Sequence, residues 1–151
     1  MLSQTAEHAL RATLFLARSS VGEPMSADVI AEALGAPRNY LSKTLNTLAK
    51  RGLLSSARGP YGGFQLVRAA EELTIAEVVH AFDEPRTRGI CLLGGGPCND
   101  AEPCGAHFRW KAVTAEMLAP LNNTTIADLL EDEVSDRVIA GIGAGIACQG
   151  A

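Results

Sequence analysis

The apolar positions of this chain follow a helical period, then a strand period, then a helical period again. From residue 3 to 18, Ala6, Ala9, Leu10, Thr13, Leu14 and Ala17 recur at helical spacing behind Ser3, a hydroxyl suited to capping a first turn. Gly22-Glu23-Pro24 interrupts that pattern. Ser26 then opens a second helix with the apolar face Val29, Ile30, Ala33 and Leu34, closed by Gly35 at the position a helix C′ glycine takes. Pro37 stands at the first position of a third helix, 37–50, with the inward stripe Leu41, Leu45 and Leu48. Two helices joined by so short a glycine-containing turn predict a helix-turn-helix.

After Arg51-Gly52 the period shortens. Leu53 to Ala57 and Phe64 to Arg68 read as two strands joined by Arg58-Gly59-Pro60-Tyr61-Gly62-Gly63, a β-hairpin wing behind the helix pair. Helical spacing returns at Thr74-Ile75-Ala76-Glu77, a capping box that starts a helix with Ile75, Val78, Val79 and Phe82 inside, ending before Pro85. A further helix runs from about Cys104–Ala106 to Leu121, with Trp110, Val113, Met117 and Leu121 on one side and Pro120 limiting its end. Thr124 or Thr125 caps a last short helix through Leu130, and the glycines of 135–151 predict a loose tail. The expected fold is mainly α with a small β-hairpin wing: a winged helix-turn-helix followed by a long dimerisation helix. The expected divisions are a DNA-binding domain at 1–82, a cysteine loop at 83–105, a dimerisation segment at 106–134 and a tail at 135–151.

Charge changes this picture more than composition does. The net charge of −4 argues against nucleic acid at first sight. Yet residues 35–70 hold six basic side chains, Arg38, Lys43, Lys50, Arg51, Arg58 and Arg68, and no acidic one, while the rest of the chain sums to −10. A basic block coinciding with a helix-turn-helix and wing is the electrostatic footprint of a polyanion partner. Arg38, Asn39, Tyr40, Ser42, Lys43, Asn46 and Lys50 face outward on the third helix. Arg and Asn can read guanine and adenine edges, Lys43, Lys50 and Arg51 suit phosphates, and Arg58, with Tyr61 beside it at the hairpin tip, suits a minor groove or the flanking backbone. Tyr40 fits a core position equally well. A winged helix used only for protein contacts is the plainer alternative.

The remaining chemistry sits in one glycine-rich stretch. Cys91, Cys98, Cys104 and His107 are separated by Leu-Leu-Gly-Gly-Gly-Pro, Asn-Asp-Ala-Glu-Pro and Gly-Ala. Four readings compete: a structural zinc site, a thiol–disulfide switch, inert thiols and an iron–sulfur cluster. Gaps of six and five residues depart from the short C-x₂₋₄-C knuckle of zinc sites. A switch needs only two of the thiols. An iron–sulfur cluster wants spaced thiolates, close backbone amides and, for an anionic group, a helix N-terminus. His8, His80 and Cys148 read as structural or incidental. No nucleophile–base constellation appears, which speaks against an enzyme. No apolar run reaches membrane-spanning length and the first residues carry no secretory pattern, so the expectation is a cytoplasmic protein with reduced thiols.

Several motifs together are specific. Ala9-Leu10-Arg11, Arg58-Gly59-Pro60-Tyr61-Gly62-Gly63-Phe64, the three-cysteine loop, Cys104-Gly-Ala-His107-Phe-Arg-Trp110 and Leu121-Asn-Asn-Thr-Thr-Ile-Ala-Asp-Leu129 resemble a bacterial family of small winged-helix iron–sulfur regulators, over about residues 2–134. Its members include regulators of cluster assembly and nitric-oxide-sensing repressors. The resemblance implies a homodimer joined through the helix of Trp110, Val113, Met117 and Leu121. It also implies two recognition helices on a pseudo-palindromic double-stranded DNA operator. It further implies a cluster on Cys91, Cys98 and Cys104, with His107 as fourth ligand of a 2Fe-2S form or Glu7 from the partner completing a 4Fe-4S form. The 2Fe-2S form with His107 is preferred, although the first gap is one residue longer than in the assembly regulators. The alternatives are a metal-free thiol- or ligand-responsive repressor of the same fold, and a cluster carrier or electron-transfer protein with no DNA role.

Overall fold

The computed structural model describes residues 2–19, 23–59, 61–83, 91–94 and 96–131. The expected tail at 135–151, Cys148 and Pro85 lie outside the described residues. Helix α1 (Gln4–Ser19) is capped by Ser3, whose hydroxyl accepts from the Ala6 amide at 3.1 Å. Helix α2 (Ala27–Ala33) is capped by Ser26, and Gly35 follows at φ +60°, the left-handed conformation a C′ glycine supplies. Helix α3 (Arg38–Lys50) follows at once.

Two local expectations are corrected. Pro37 is the N-cap of α3 and not its first helical residue: its ψ of 126° is extended, while its carbonyl accepts from the Leu41 amide. On α2 the buried residues are Ile30, Ala31 and Leu34, whereas Val29 and Ala33 face outward. With seven residues the helix shows the core only the stripe centred on Ile30 and Leu34, one turn apart, and Val29 falls beside it.

The wing is the antiparallel pair β1 (Leu54–Ala57) and β2 (Gly63–Leu66), in register from Leu54 opposite Leu66 to Ala57 opposite Gly63. Its far side is closed by Met25, which exchanges both backbone hydrogen bonds with Phe64. That pairing explains Gly63, and the closeness of the hairpin's own first strand explains Gly62. A Cβ on Gly63 would fall 2.3 Å from the Met25 carbonyl oxygen, and one on Gly62 would fall 2.3 Å from that of Ala57.

Helix α4 (Ile75–His80) begins with the complete Thr74–Glu77 capping box, and α6 (Ile126–Leu130) with a second one, Thr125–Asp128. The two helix starts pair with each other: Ile75 donates to Thr124 O and Ile126 to Leu73 O. Between them runs α5 (His107–Asn123), which continues past Pro120 to Asn123 and so ends two residues beyond the expected limit. One core joins α1, α2, α3 and the wing to α4 and α6 through Leu16, Ile30, Leu34, Leu41, Leu45, Leu48, Leu73, Val78 and Ile126. Ala12 and Leu16 of α1 are fully buried although the sequence pattern did not single them out.

Candidate nucleic-acid interface and cysteine site

The stripe Leu41, Leu45 and Leu48 fastens α3 to the core and leaves its other face in solvent. Asn39, Lys43, Asn46, Lys50 and Arg51 are exposed there, and Ser42 is half-buried. Some of the side chains expected to read DNA have partners within the chain. Arg38 pairs with Asp28 of α2, and the Asn46 amide donates to Ser42 O at 2.8 Å. Tyr40 turns inward: its hydroxyl donates to Thr5 Oγ1 at 3.0 Å and its ring meets His8 edge-on at 5.4 Å. Arg68 reaches Glu77 and the Glu72 carbonyl. The basic block is therefore compensated at Arg38 and Arg68 by acids outside it. Among the described residues no carboxylate pairs with Lys43, Lys50, Arg51 or Arg58. At the wing tip Arg58 is exposed and Tyr61 is 92% exposed.

The cysteine loop is shaped by glycine. Gly94 and Gly96 take φ of +75° and +89°, and Cys91 bonds both ways across the turn: its amide donates to Gly96 O and its carbonyl accepts from the Gly94 amide. This returns the chain toward α5, where the His107 amide bonds the Cys104 carbonyl. The Cys91 and Cys104 sulfurs then stand 3.8 Å apart, and Cys98 lies near enough for both to act on its thiol. None of the three is in a disulfide. Burial pushes the Cys98 thiol up, and the neighbouring Cys91 and Cys104 add to that shift, as expected where ionised sulfurs would crowd one another.

His107, 3% exposed, sits at the start of α5. Its Nε2 lies 2.6 Å from Asp100 Oδ1, and the Lys111 ammonium spans both oxygens of the same carboxylate at 2.9 and 2.8 Å. The Lys111 and His107 hydrogen bonds hold the Asp100 carboxyl below the usual carboxylate range. Glu7 is on α1, half-exposed and paired with Arg11. Asp100 and Lys111 did not emerge from the sequence. The available signal was a carboxylate inside the loop and a lysine one turn after His107.

Among the described residues no three His, Cys, Asp or Glu side chains converge tightly enough for a single ion. A cluster asks less of any one point. A tetrahedral metal with metal–sulfur bonds of about 2.3 Å holds its sulfurs ~3.8 Å apart, which is the Cys91–Cys104 spacing. Three adjacent thiols on a glycine turn fit a thiolate-held cluster in their donor chemistry.

Beside this loop α5 carries an uncovered apolar face. Val113 and Met117 are exposed there, as are Leu92 and Leu93 of the loop, while Phe108, also exposed, lies on another side of the helix. Leu92, Trp110, Val113 and Arg109 line a groove of about 350 Å³.

A helix pair with a cationic outer helix, a hairpin wing and a cysteine loop defines a winged-helix DNA-binding regulator. The chain belongs to the Rrf2 family of transcriptional regulators, described as iron-dependent, whose pattern it matches over residues 2–132. It is 33% identical over 140 residues to the HTH-type transcriptional regulator IscR of Citrobacter koseri, covering 90% of this chain and 85% of that one. Its fold is that of CymR, the global cysteine regulator of B. subtilis (TM-score 0.70, 24% identity, 87% of this chain and 96% of that one). It is also that of T. potens IscR (TM-score 0.68, 23% identity, 87% of each). The relatives are named as regulators of transcription and not as enzymes, and the assignment sets aside a carrier with no DNA role. Among the described residues no helix is long and apolar enough to cross a membrane.

Proposed function

We propose that this regulator acts as a homodimer whose affinity for a pseudo-palindromic DNA operator is set by an iron–sulfur cluster on Cys91, Cys98, Cys104 and His107, in the 2Fe-2S form. The observation that carries the reading is the meeting of thiols in the loop just before α5, whose first residue, His107, is buried and bonded through its amide to the Cys104 carbonyl. When bound, such a cluster supplies a site whose integrity follows iron supply, oxidant or nitric oxide. The rest is done by the chain. The 1–82 head reads DNA through Lys43, Lys50, Arg51 and Arg58, with Asn39 available to base edges and Arg38 joining it only by exchanging Asp28 for DNA. The 83–105 loop holds the thiols. The 106–134 segment offers Trp110, Val113, Met117 and Leu121 to a second copy, which would cover the exposed Val113 and Met117, while Trp110 and Leu121 are already half-buried and Leu121 packs in part against Ala6, Ile75 and Val79 of its own chain. His107 is favoured over Glu7 because it is buried next to Cys104, whereas Glu7 is tied to Arg11. A change in the loop then alters DNA affinity by the difference in its contacts between two dimer geometries.

Anaerobic purification with iron and sulfide assays, followed by DNA binding with and without the cluster, tests this. Brown protein with matched iron and sulfide, and an operator affinity that changes on cluster removal, is expected. Colourless anaerobic protein lacking both elements overturns it. Lys43→Ala or Arg58→Ala should weaken binding to all DNA sequences and lower the salt slope by about one.

The same 3.8 Å spacing supports a second reading, a metal-free thiol switch in which Cys91 and Cys104 join on oxidation. Iron-free protein with a DNA affinity that responds to oxidant, lost in Cys104→Ala, would select it.

A further inference from the structure

We propose that Asp100 is a positioning residue that holds the Nε2–H of His107 and so assigns Nδ1 as the nitrogen that ligates the cluster, an inference resting on the cluster reading above. The geometry is specific. His107 is almost wholly buried, so its ring orientation is set by its neighbours and not by solvent. Among the described residues the hydrogen-bond partner of its Nε2 is Asp100 Oδ1, at 2.6 Å. Asp100 is itself fastened, because Lys111 donates to both of its oxygens. Lys111 stands one turn after His107 on α5, so helix geometry brings the ring and the ammonium to the same side.

A carboxylate engaged by an ammonium acts as an acceptor toward the ring, so Nε2 carries the hydrogen and the lone pair lies on Nδ1. Histidines that bind metals commonly donate the other ring N–H to a carboxylate, which fixes tautomer and orientation. Asp100 lies between Cys98 and Cys104, so the contact also ties the loop bearing two of the thiols to the first turn of α5. The fourth ligand is thereby placed by the segment that carries the other three.

The test uses the full chain, reconstituted anaerobically with ferrous iron and sulfide and then reduced, with histidine labelled with ¹⁵N at Nδ1 or at Nε2. Strong hyperfine coupling from the Nδ1 label and only weak coupling from the Nε2 label are expected. Asp100→Ala should abolish that selectivity, giving a loss of the Nδ1 coupling or a mixture of both nitrogens. Asp100→Asn should retain it, since the amide oxygen accepts the same N–H. His107→Ala, with the fold verified by circular dichroism, should lose the strong coupling altogether. Strong coupling from Nε2, or an unchanged Nδ1 signal in Asp100→Ala, overturns the assignment. Iron-loaded protein with no histidine coupling overturns it and leaves a cluster with another fourth ligand. Protein that takes up no iron defeats the cluster reading and this inference with it.

Discussion

Helices α3 and α5 carry apolar stripes that look alike in sequence and end differently in the fold. In α3 the stripe Leu41, Leu45 and Leu48 is wholly buried against α1, α2 and the wing. In α5 Val113 and Met117, at the same kind of spacing, are 54% and 55% exposed. The difference shows that helical periodicity reports a demand for burial and not where the burial happens. In the DNA-reading head the demand is met within one chain. Around the cysteine loop it is left open, and the exposed Leu92 of the loop lines the groove against Trp110 and Val113.

The sharpest way to break this contrast is to truncate both stripes. Leu45→Ala should cost about 2–5 kcal/mol, since it leaves a cavity in a closed core. At this chain length that lowers Tm by roughly 2–4 °C per kcal/mol in thermal denaturation. Met117→Lys should leave the unfolding of a dilute, monomeric chain within about 0.5 kcal/mol. It should instead remove the concentration dependence of Tm that self-association confers, and shift sedimentation equilibrium toward monomer. Equal stability losses at the two sites would mean that both stripes belong to one kind of core.

A second cut falls inside the head. Gly63→Ala puts a methyl group against the Met25 carbonyl, and backbone cannot swing aside as a long side chain can. The hairpin must move or Met25 must detach, at about 1–3 kcal/mol. DNA affinity should fall with it, because Arg58 and Tyr61 ride on that hairpin. Denaturation and a DNA titration read the two effects. A stable Gly63→Ala protein with full DNA affinity would show that the wing is not fastened through Met25.

The same contrast decides how much was legible in the sequence. The head could be read because its elements are local: Ser3, Ser26 and Thr74 cap helices that start where their hydroxyls predict, and Gly35 closes α2. Errors there were of phase. Val29 was placed inside because a seven-residue helix offers too few turns for the pattern to separate it from Ile30. The cysteine site was legible as an inventory but not as a geometry. That Cys91 meets Cys104 depends on two positive-φ glycines, and that His107 is held by Asp100 depends on a contact across seven residues with no period to announce it. Tyr40 shows the same limit on the DNA side: helical spacing gave it an even choice between groove and core, and only the packing of α1 turns it to Thr5 and His8.

The smallest predicted effect concerns the seam joining the head to α6. Thr74–Glu77 and Thr125–Asp128 are two capping boxes whose helix starts bond to each other. Thr74→Ala should cost about 1 kcal/mol, and Thr125→Ala about the same or less on a shorter, more exposed helix. The carboxylates of the two boxes add a pH signature. For Glu77, partial burial raises the carboxyl, but the Thr74 amide and the Arg68 guanidinium outweigh it and hold it below its ordinary value. Asp128 is held low by the Thr125 amide and hydroxyl. A carboxyl whose folded pKa is depressed binds protons less readily folded than unfolded, so its stabilisation is fully present above the unfolded value. That contribution is lost as the pH falls from the ordinary carboxylate range through the lowered folded values. Stability followed by denaturant titration should therefore decline on acidification through that window, and the decline should be shallower in Glu77→Gln and Asp128→Asn. Because Glu77 also binds Arg68 while Asp128 has only its own cap, Glu77→Gln should flatten the profile more. An identical acid slope in the wild type and both variants would show that the seam is held by the backbone pairing alone, with the capping carboxylates contributing nothing to it.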